Sequence, residues 1–391
     1  MHADLPAPSA DARAASAALT RLIADEIAAD GWLSFARYME LALYAPGLGY
    51  YAGGAHKFGD GDSGGDFVTA PELTPLFGQA LARQVAQVLN ASAPLVIEAG
   101  AGSGRLAADL LPALDALGCA PTRYCILELS GELRARQAQT IGKYAPQYLA
   151  RVDWLDTLPE KFSGCLIGNE VLDAMPTHAV RWSEDGFEDG LLERGVGLAA
   201  GQFVTVERPA GAALREAAET IAVHAPYRGE ISLAVRAWVA ELARRLDTGA
   251  MILLDYGLPR RELYHPQRNG GTLRCHYRHR VHDDPFWYPG LSDITSHVDF
   301  TAVAEAGFDA GLSVLGYTNQ ANFLVNCGIG ELLQKVGSDE TVTKANLRAQ
   351  GAVNMLLSPN EMGELFKVIA LGRGMPQPLL GFTRGDRVHA L

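Results

Sequence analysis

Apolar positions follow one spacing in the first ninety residues and another after Leu95. Leu19, Leu22, Ile23 and Ile27 fall on one face of a helix. Gly31 is placed to stop it, and Ser34 to cap a second helix through Tyr38, Met39 and Leu43. A third helical stripe runs through Leu76, Leu81, Val85 and Leu89. From Leu95 the spacing becomes strand, loop, helix. Short apolar runs at Leu95–Ala99, Tyr124–Leu127, Arg151–Trp154, Gly164–Gly168 and Ala250–Leu254 predict five strands, with helices over Leu106–Leu117 and Leu133–Tyr144 and another ending near Arg245. Leu312–Leu315 and Glu364–Ala370 predict a sixth and a seventh strand. This alternation predicts an α/β fold, a Rossmann-like, mostly parallel sheet with helices on both faces. Right-handed crossovers then bring the strands' C-terminal ends to one edge, where such folds bind ligands.

The remaining segments divide the chain. Residues 1–18 read as a flexible tail and 19–92 as a helical and lid region. The core occupies 93–177 and 225–318, the latter with a substrate loop. Residues 178–224, which alternate like hairpins, and 319–360, which look helical, are insertions, and 361–391 carry the last strand and a tail. The glycines from Gly47 to Gly65 mark a long loop of the kind that forms lids, to which Tyr50, Phe67 and Pro71 would belong.

The 391 residues carry 33 Lys and Arg against 45 Asp and Glu, a net charge of −12. That balance argues against a general nucleic-acid binder and suits a basic acceptor. Five scattered cysteines without a C-x-x-C predict reduced thiols, with neither a disulfide framework nor a paired-cysteine zinc site. No apolar run is long enough to span a membrane, and the N-terminus lacks the marks of a signal or transit peptide, so a cytoplasmic location is expected. The oligomeric state is not legible.

The sharpest motif is Glu98-Ala-Gly-Ala-Gly-Ser-Gly-Arg105, at the end of the first strand. Gly100, Gly102 and Gly104 let the backbone approach a ligand and offer N–H donors near a helix N-terminus. A dinucleotide fingerprint would require glycine where Arg105 stands. The carboxylate of Glu98 can receive an ammonium, as an amino-acid moiety would present. Glu128, ending the second strand, can accept both hydroxyls of a ribose, as in nicotinamide enzymes too. Asp153 and Trp154 end the third, though Trp154 also reads as core. The fourth strand runs into Asn169-Glu-Val-Leu-Asp-Ala-Met-Pro176. A helical turn there would put Glu170 and Asp173 on one face, matched to a guanidinium's planar fork of donors; Asn169 and Asp173 serve equally as caps of a following helix. Asp255 ends the fifth strand. His276, His279 and His282 recur every third residue, but the interleaved arginines oppose a metal, and none is expected. His297 is a candidate on the acceptor side.

Taken together, Gly49-Tyr-Tyr51, Gly65–Glu72, Phe77-Gly78, Gly100–Gly104, Asn169–Pro176, Asp255-Tyr-Gly257, Gly271–Arg274 and Asp293–Phe300 resemble the MidA-like methyltransferases, over about Leu22 to Gly372. The mitochondrial members of that family assist respiratory complex I assembly as protein arginine methyltransferases. The resemblance implies a class I methyltransferase fold with an added N-terminal helical part. It implies S-adenosylmethionine held by Glu98, Gly100, Gly102, Gly104, Glu128, Asp153, Trp154 and Pro71. Less directly, it suggests a protein substrate with an arginine acceptor met by Asn169, Glu170, Asp173 and His297. A small-molecule methyltransferase and a non-catalytic cofactor-binding assembly factor are the alternatives. A nicotinamide oxidoreductase is opposed by Arg105.

Overall fold

The structure, a computed structural model, describes residues 5–53, 69–184, 190–336, 344–376 and 378–391. Most of the glycine-rich stretch and Phe67 lie outside the described residues. The chain forms two units, Met1–Phe67 with Leu172–Trp238 and Leu258–Asp299, and Val68–Val171 with Val239–Gly257 and Phe300–Leu391. They interleave along the chain, unlike the successive segments read from the sequence.

The second unit holds the predicted sheet. Its strands are β1 (Leu95–Ala99), β2 (Arg123–Leu127), β3 (Val152–Leu155), β4 (Phe162–Asn169), β5 (Leu246–Leu258), β6 (Ser313–Asn319) and β7 (Phe366–Arg373), in the spatial order β6-β7-β5-β4-β1-β2-β3. β7 runs antiparallel to both of its neighbours, and the other pairings are parallel. Val96, Ile97, Tyr124, Ile126, Cys165, Ile167, Ile252 and Val368 are fully buried. A parallel sheet covered on both faces needs such near-continuous apolar runs. Three helices matter for the site: α1 (Pro75–Ala91), α2 (Arg105–Ala116) and α3 (Gly131–Tyr144). Helix α1 buries Leu76, Leu81, Val85 and Leu89, the stripe visible in the sequence.

Register places the site. Ala99 is level with Leu127 and with Gly168, and Asn169 with Leu254. The next residues, Gly100, Glu128 and Glu170, therefore leave the sheet at neighbouring levels of one edge, while Asp255 stays in β5 opposite Lys367, so that strand runs past the end expected at Asp255. This is the edge where open α/β sheets take ligands.

The first unit is built on a helix at Ala10–Asp30 and a helix at Phe35–Tyr44, with a five-stranded antiparallel sheet that includes 178–182, 191–199, 202–209 and 227–231. Ser34 caps the second helix by accepting the N–H of Arg37, and Gly31 ends the first at φ 71°. The hairpins expected over 178–224 are present, and a helix at Ala212–Glu219 leads from them to the strand at 227–231.

Two expectations fail. The flexible tail read over 1–18 is helical from Ala10, capped by Ser9. An alanine-rich segment has high intrinsic helix propensity even without an apolar stripe. No helix comes directly after β4: residues 170–177 form bends and a turn, so Glu170 and Asp173 share no helical face, and Asn169 and Asp173 have no helix there to cap.

Candidate active site

The glycine loop after β1 is held in a conformation closed to other residues. Gly100, Gly102 and Gly104 all have left-handed backbones, at φ 65°, 52° and 85°. A Cβ on Gly100 would stand 2.5 Å from Cγ1 of Val171, and one on Gly104 2.9 Å from Cα of Gln137. Gly104 begins α2 without a side-chain cap. The loop is also tied to the short helix Ala70–Leu73, where the Ser103 hydroxyl donates to the Glu72 carboxylate. Pro71 is buried in that helix.

Glu98 is 2% exposed and accepts the Tyr124 hydroxyl at 2.6 Å. Burial penalises the anion and lifts its pKa to about 7, against the opposing pull of that hydrogen bond. Glu128 is clamped at both carboxylate oxygens. Oε1 accepts the N–H of Ser130 at 2.8 Å, and Oε2 accepts Nε2 of Gln137 at 3.2 Å. Its main chain is fixed as well: Arg134 donates Nε to the Glu128 carbonyl at 2.7 Å and Nη2 to the Leu155 carbonyl at 3.1 Å. Trp154 donates its indole N–H to Oε1 of Gln137 at 2.8 Å. Asp153 is not brought to this group. Its carboxylate pairs with Arg123 at 2.8 Å in an exposed ion pair.

At the tip of β4, Asn169 donates Nδ2 to Oε1 of Glu170 at 3.1 Å, and the N–H of Ala70 reaches the same oxygen at 3.4 Å. Glu170 has φ 54°, a left-handed conformation that costs an ordinary residue about 1–2 kcal/mol. Two backbone anchors hold it there. The Glu170 N–H donates to the Leu254 carbonyl at 2.9 Å, and the Val171 N–H to Oδ2 of buried Asp255 at 3.0 Å. Asp255 also accepts the N–H of Tyr256 at 2.8 Å, so its carboxylate ties the turn at Val171 to β5.

The other two candidates, Asp173 and His297, belong to the first unit, on segments joined by a backbone hydrogen bond. The N–H of Ser296 donates to the Asp173 carbonyl at 3.0 Å, joining two motifs far apart in sequence. His297 donates its N–H to the Thr272 hydroxyl at 3.0 Å. Nearby, Tyr44 donates to the Ala174 carbonyl and Tyr51 to Oδ1 of Asp293, each at 3.0 Å. The Arg/His segment is a hairpin, Arg274–Tyr277 against Arg280–His282, turned at Arg278 and His279, both at positive φ. His282 is buried against the hydroxyl of Ser292, while His279 is exposed at the turn. Among the described residues no cluster of three or more His, Cys, Asp or Glu could hold a metal, and no helix is long and apolar enough to cross a membrane.

The donor set of the second unit fits an adenosyl amino acid. A glycine cradle that no Cβ could enter lies beside a carboxylate held at both oxygens by donors, each oxygen retaining lone-pair capacity for a vicinal diol. Known proteins agree. A crystal structure of a Burkholderia thailandensis protein bound to S-adenosyl-homocysteine is 53% identical, covers 99% of this chain and 100% of that one, and superposes with a TM-score of 0.94. Two curated relatives are named "Protein arginine methyltransferase NDUFAF7, mitochondrial". The Danio rerio protein is 29% identical over 89% of this chain and 85% of its own, and the Mus musculus protein 28% over 88% and 82%. Those names overturn the cytoplasmic expectation, since the relatives are called mitochondrial. Residues 80–318 match the model of the family described as "Putative S-adenosyl-L-methionine-dependent methyltransferase". Sheet order, glycine cradle and matches converge, and the chain belongs to this family of S-adenosylmethionine-dependent methyltransferases.

Proposed function

We propose that the methyl acceptor is an arginine side chain of a protein, and that Glu170 is the residue that receives it. The observation carrying this reading is that Glu170 is held at a strand tip of the ligand edge in a left-handed conformation, its carboxylate oriented by Asn169. Backbone strain of that kind is kept where a side chain must be aimed. The relatives named protein arginine methyltransferases support the choice of acceptor. Gly100, Gly102, Gly104 and Glu128 would hold the cofactor, with Glu98 toward its ammonium, Trp154 beside the adenine and Pro71 as part of the rim. When bound, S-adenosylmethionine supplies a methyl group already activated by its sulfonium. Glu170 accepts a guanidinium N–H, aims one nitrogen, and takes up the proton that nitrogen gives up on methylation. Carboxylate and guanidinium also suit the chain's charge of −12, which draws basic segments in. Asp173 and His297 are proposed acceptor contacts to be tested by substitution in their own right.

The test supplies labelled S-adenosylmethionine with arginine-containing proteins and, separately, a panel of small nucleophiles. Label should appear on arginine, and Glu170→Gln should lower turnover by roughly 100-fold or more while leaving S-adenosyl-homocysteine affinity within about twofold. Transfer to small molecules alone would remove the protein-arginine reading. Full turnover in Glu170→Gln would remove the role of Glu170.

A further inference from the structure

We infer that Gln137 is a positioning residue of the cofactor site: its amide fixes the Glu128 carboxylate and the Gly102 backbone as one unit. Gln137 is completely buried on α3, beside no other polar residue of that helix's buried face. It makes three side-chain bonds. Nε2 donates to the Gly102 carbonyl and to Oε2 of Glu128, each at 3.2 Å, and Oε1 accepts the Trp154 indole N–H at 2.8 Å.

The three partners settle which way the amide points. An indole nitrogen is only a donor, so it must meet the amide oxygen. A carbonyl and a carboxylate are only acceptors, so they must meet the NH2 group. Turning the amide over would break all three bonds around a fully buried side chain. Gln137 thus has a single orientation, and through it the indole on β3 sets where Oε2 of Glu128 lies. Its two N–H bonds diverge from one nitrogen, so the spacing between the Gly102 carbonyl and the Glu128 carboxylate is set by that nitrogen's geometry. Packing reinforces this: the backbone of Gln137 lies where a Cβ on Gly104 would go. Loop, carboxylate and indole therefore share one rigid hub. Such a hub spares the cofactor the entropy of ordering them, the usual gain from preorganisation.

This inference rests on Glu128 as the ribose acceptor, and the experiment separates the two. Titration calorimetry measures S-adenosyl-homocysteine and its 2′-deoxy analogue on the full chain. The wild type should prefer the intact ribose by roughly tenfold or more, the range for a hydrogen bond to a charged group. Gln137→Met removes the amide at similar length and should shrink that preference to about twofold, whatever it does to overall stability. Gln137→Glu keeps the shape but sets an anion against two acceptors. Its affinity for S-adenosyl-homocysteine relative to wild type should recover as pH falls, because a protonated carboxyl regains a donor. A merely structural glutamine would leave both the preference and the pH profile unmoved. A wild type blind to the 2′-hydroxyl would overturn the role of Glu128 and the inference with it. A wild-type preference retained in full by Gln137→Met, or, should that variant fail to fold, a pH-independent Gln137→Glu, would overturn the inference alone.

Discussion

Glu98 makes a quantitative prediction about pH. Its carboxyl is buried, and desolvation raises its pKa from 4.5 to about 7. A carboxyl whose folded pKa lies above its unfolded one favours folding while it is protonated. That contribution is complete below about 4.5 and is lost as pH rises through about 7. At ~1.4 kcal/mol per pH unit, the gap between the two values corresponds to roughly 3 kcal/mol. Glu98→Gln keeps the shape and a polar contact for Tyr124 but cannot ionise. Urea unfolding of both proteins, from pH 4 to pH 8.5, isolates this group because the other titrations cancel in the difference. The wild type should lose roughly 3 kcal/mol relative to Glu98→Gln between pH 4.5 and pH 8. If the cofactor's ammonium meets Glu98, saturating S-adenosyl-homocysteine should restore the anion and flatten the difference, and binding at pH 7 should release protons. Parallel stability curves over the whole range would show that burial does not govern Glu98, and the reasoning would fail.

Gly100→Ala should destabilise the fold by about 2–3 kcal/mol, from left-handed strain plus the clash with Val171. Adding Val171→Ala should recover the steric share, and a strictly additive double mutant would contradict the contact. Asp255→Ala should cost about 2–4 kcal/mol in thermal or urea unfolding, because it takes the acceptor away from the N–H groups of Val171 and Tyr256; Asp255→Asn, which keeps an acceptor, should cost less, and equal losses would refute the assignment. Asp153→Ala should change S-adenosyl-homocysteine affinity by less than about twofold, since an exposed ion pair is worth little. A tenfold loss in calorimetry would restore Asp153 to the cofactor site.

Most strands of the sheet were legible because they are short apolar runs buried on both faces, from Val96-Ile97 to Ile252-Leu253, whereas the edge strand β3 exposes Asp153. The candidate site drew on residues that come directly after those runs, at Gly100, Glu128 and Glu170. Pairing Asp153 with Trp154 ignored the strand's period of two. Adjacent residues face opposite sides, and only Trp154 turns toward Gln137. The turn after β4 misled because the apolar pattern that marks a strand says nothing about the backbone path beyond its last residue. Gln137 escaped notice because glutamine on an amphipathic helix reads as solvent-facing. The available signal was its place on the stripe of Leu133 and Ile141, four residues to either side, of which Ile141 is likewise buried. The helix at Ala10 went unread because alanine contributes propensity without periodicity.

The alternation of the chain between its two units, with changes after Phe67, Val171, Trp238, Gly257 and Asp299, has a consequence for biosynthesis. Neither unit exists as a contiguous stretch of gene, so no simple truncation yields a methyltransferase core. During translation at ~5–20 residues per second, the helices of the first unit, finished at Tyr44, wait roughly 13–50 s for the segment ending at Asp299. The sheet waits longer still, because β6 and β7, which close its edge, both come after Asp299 in the chain.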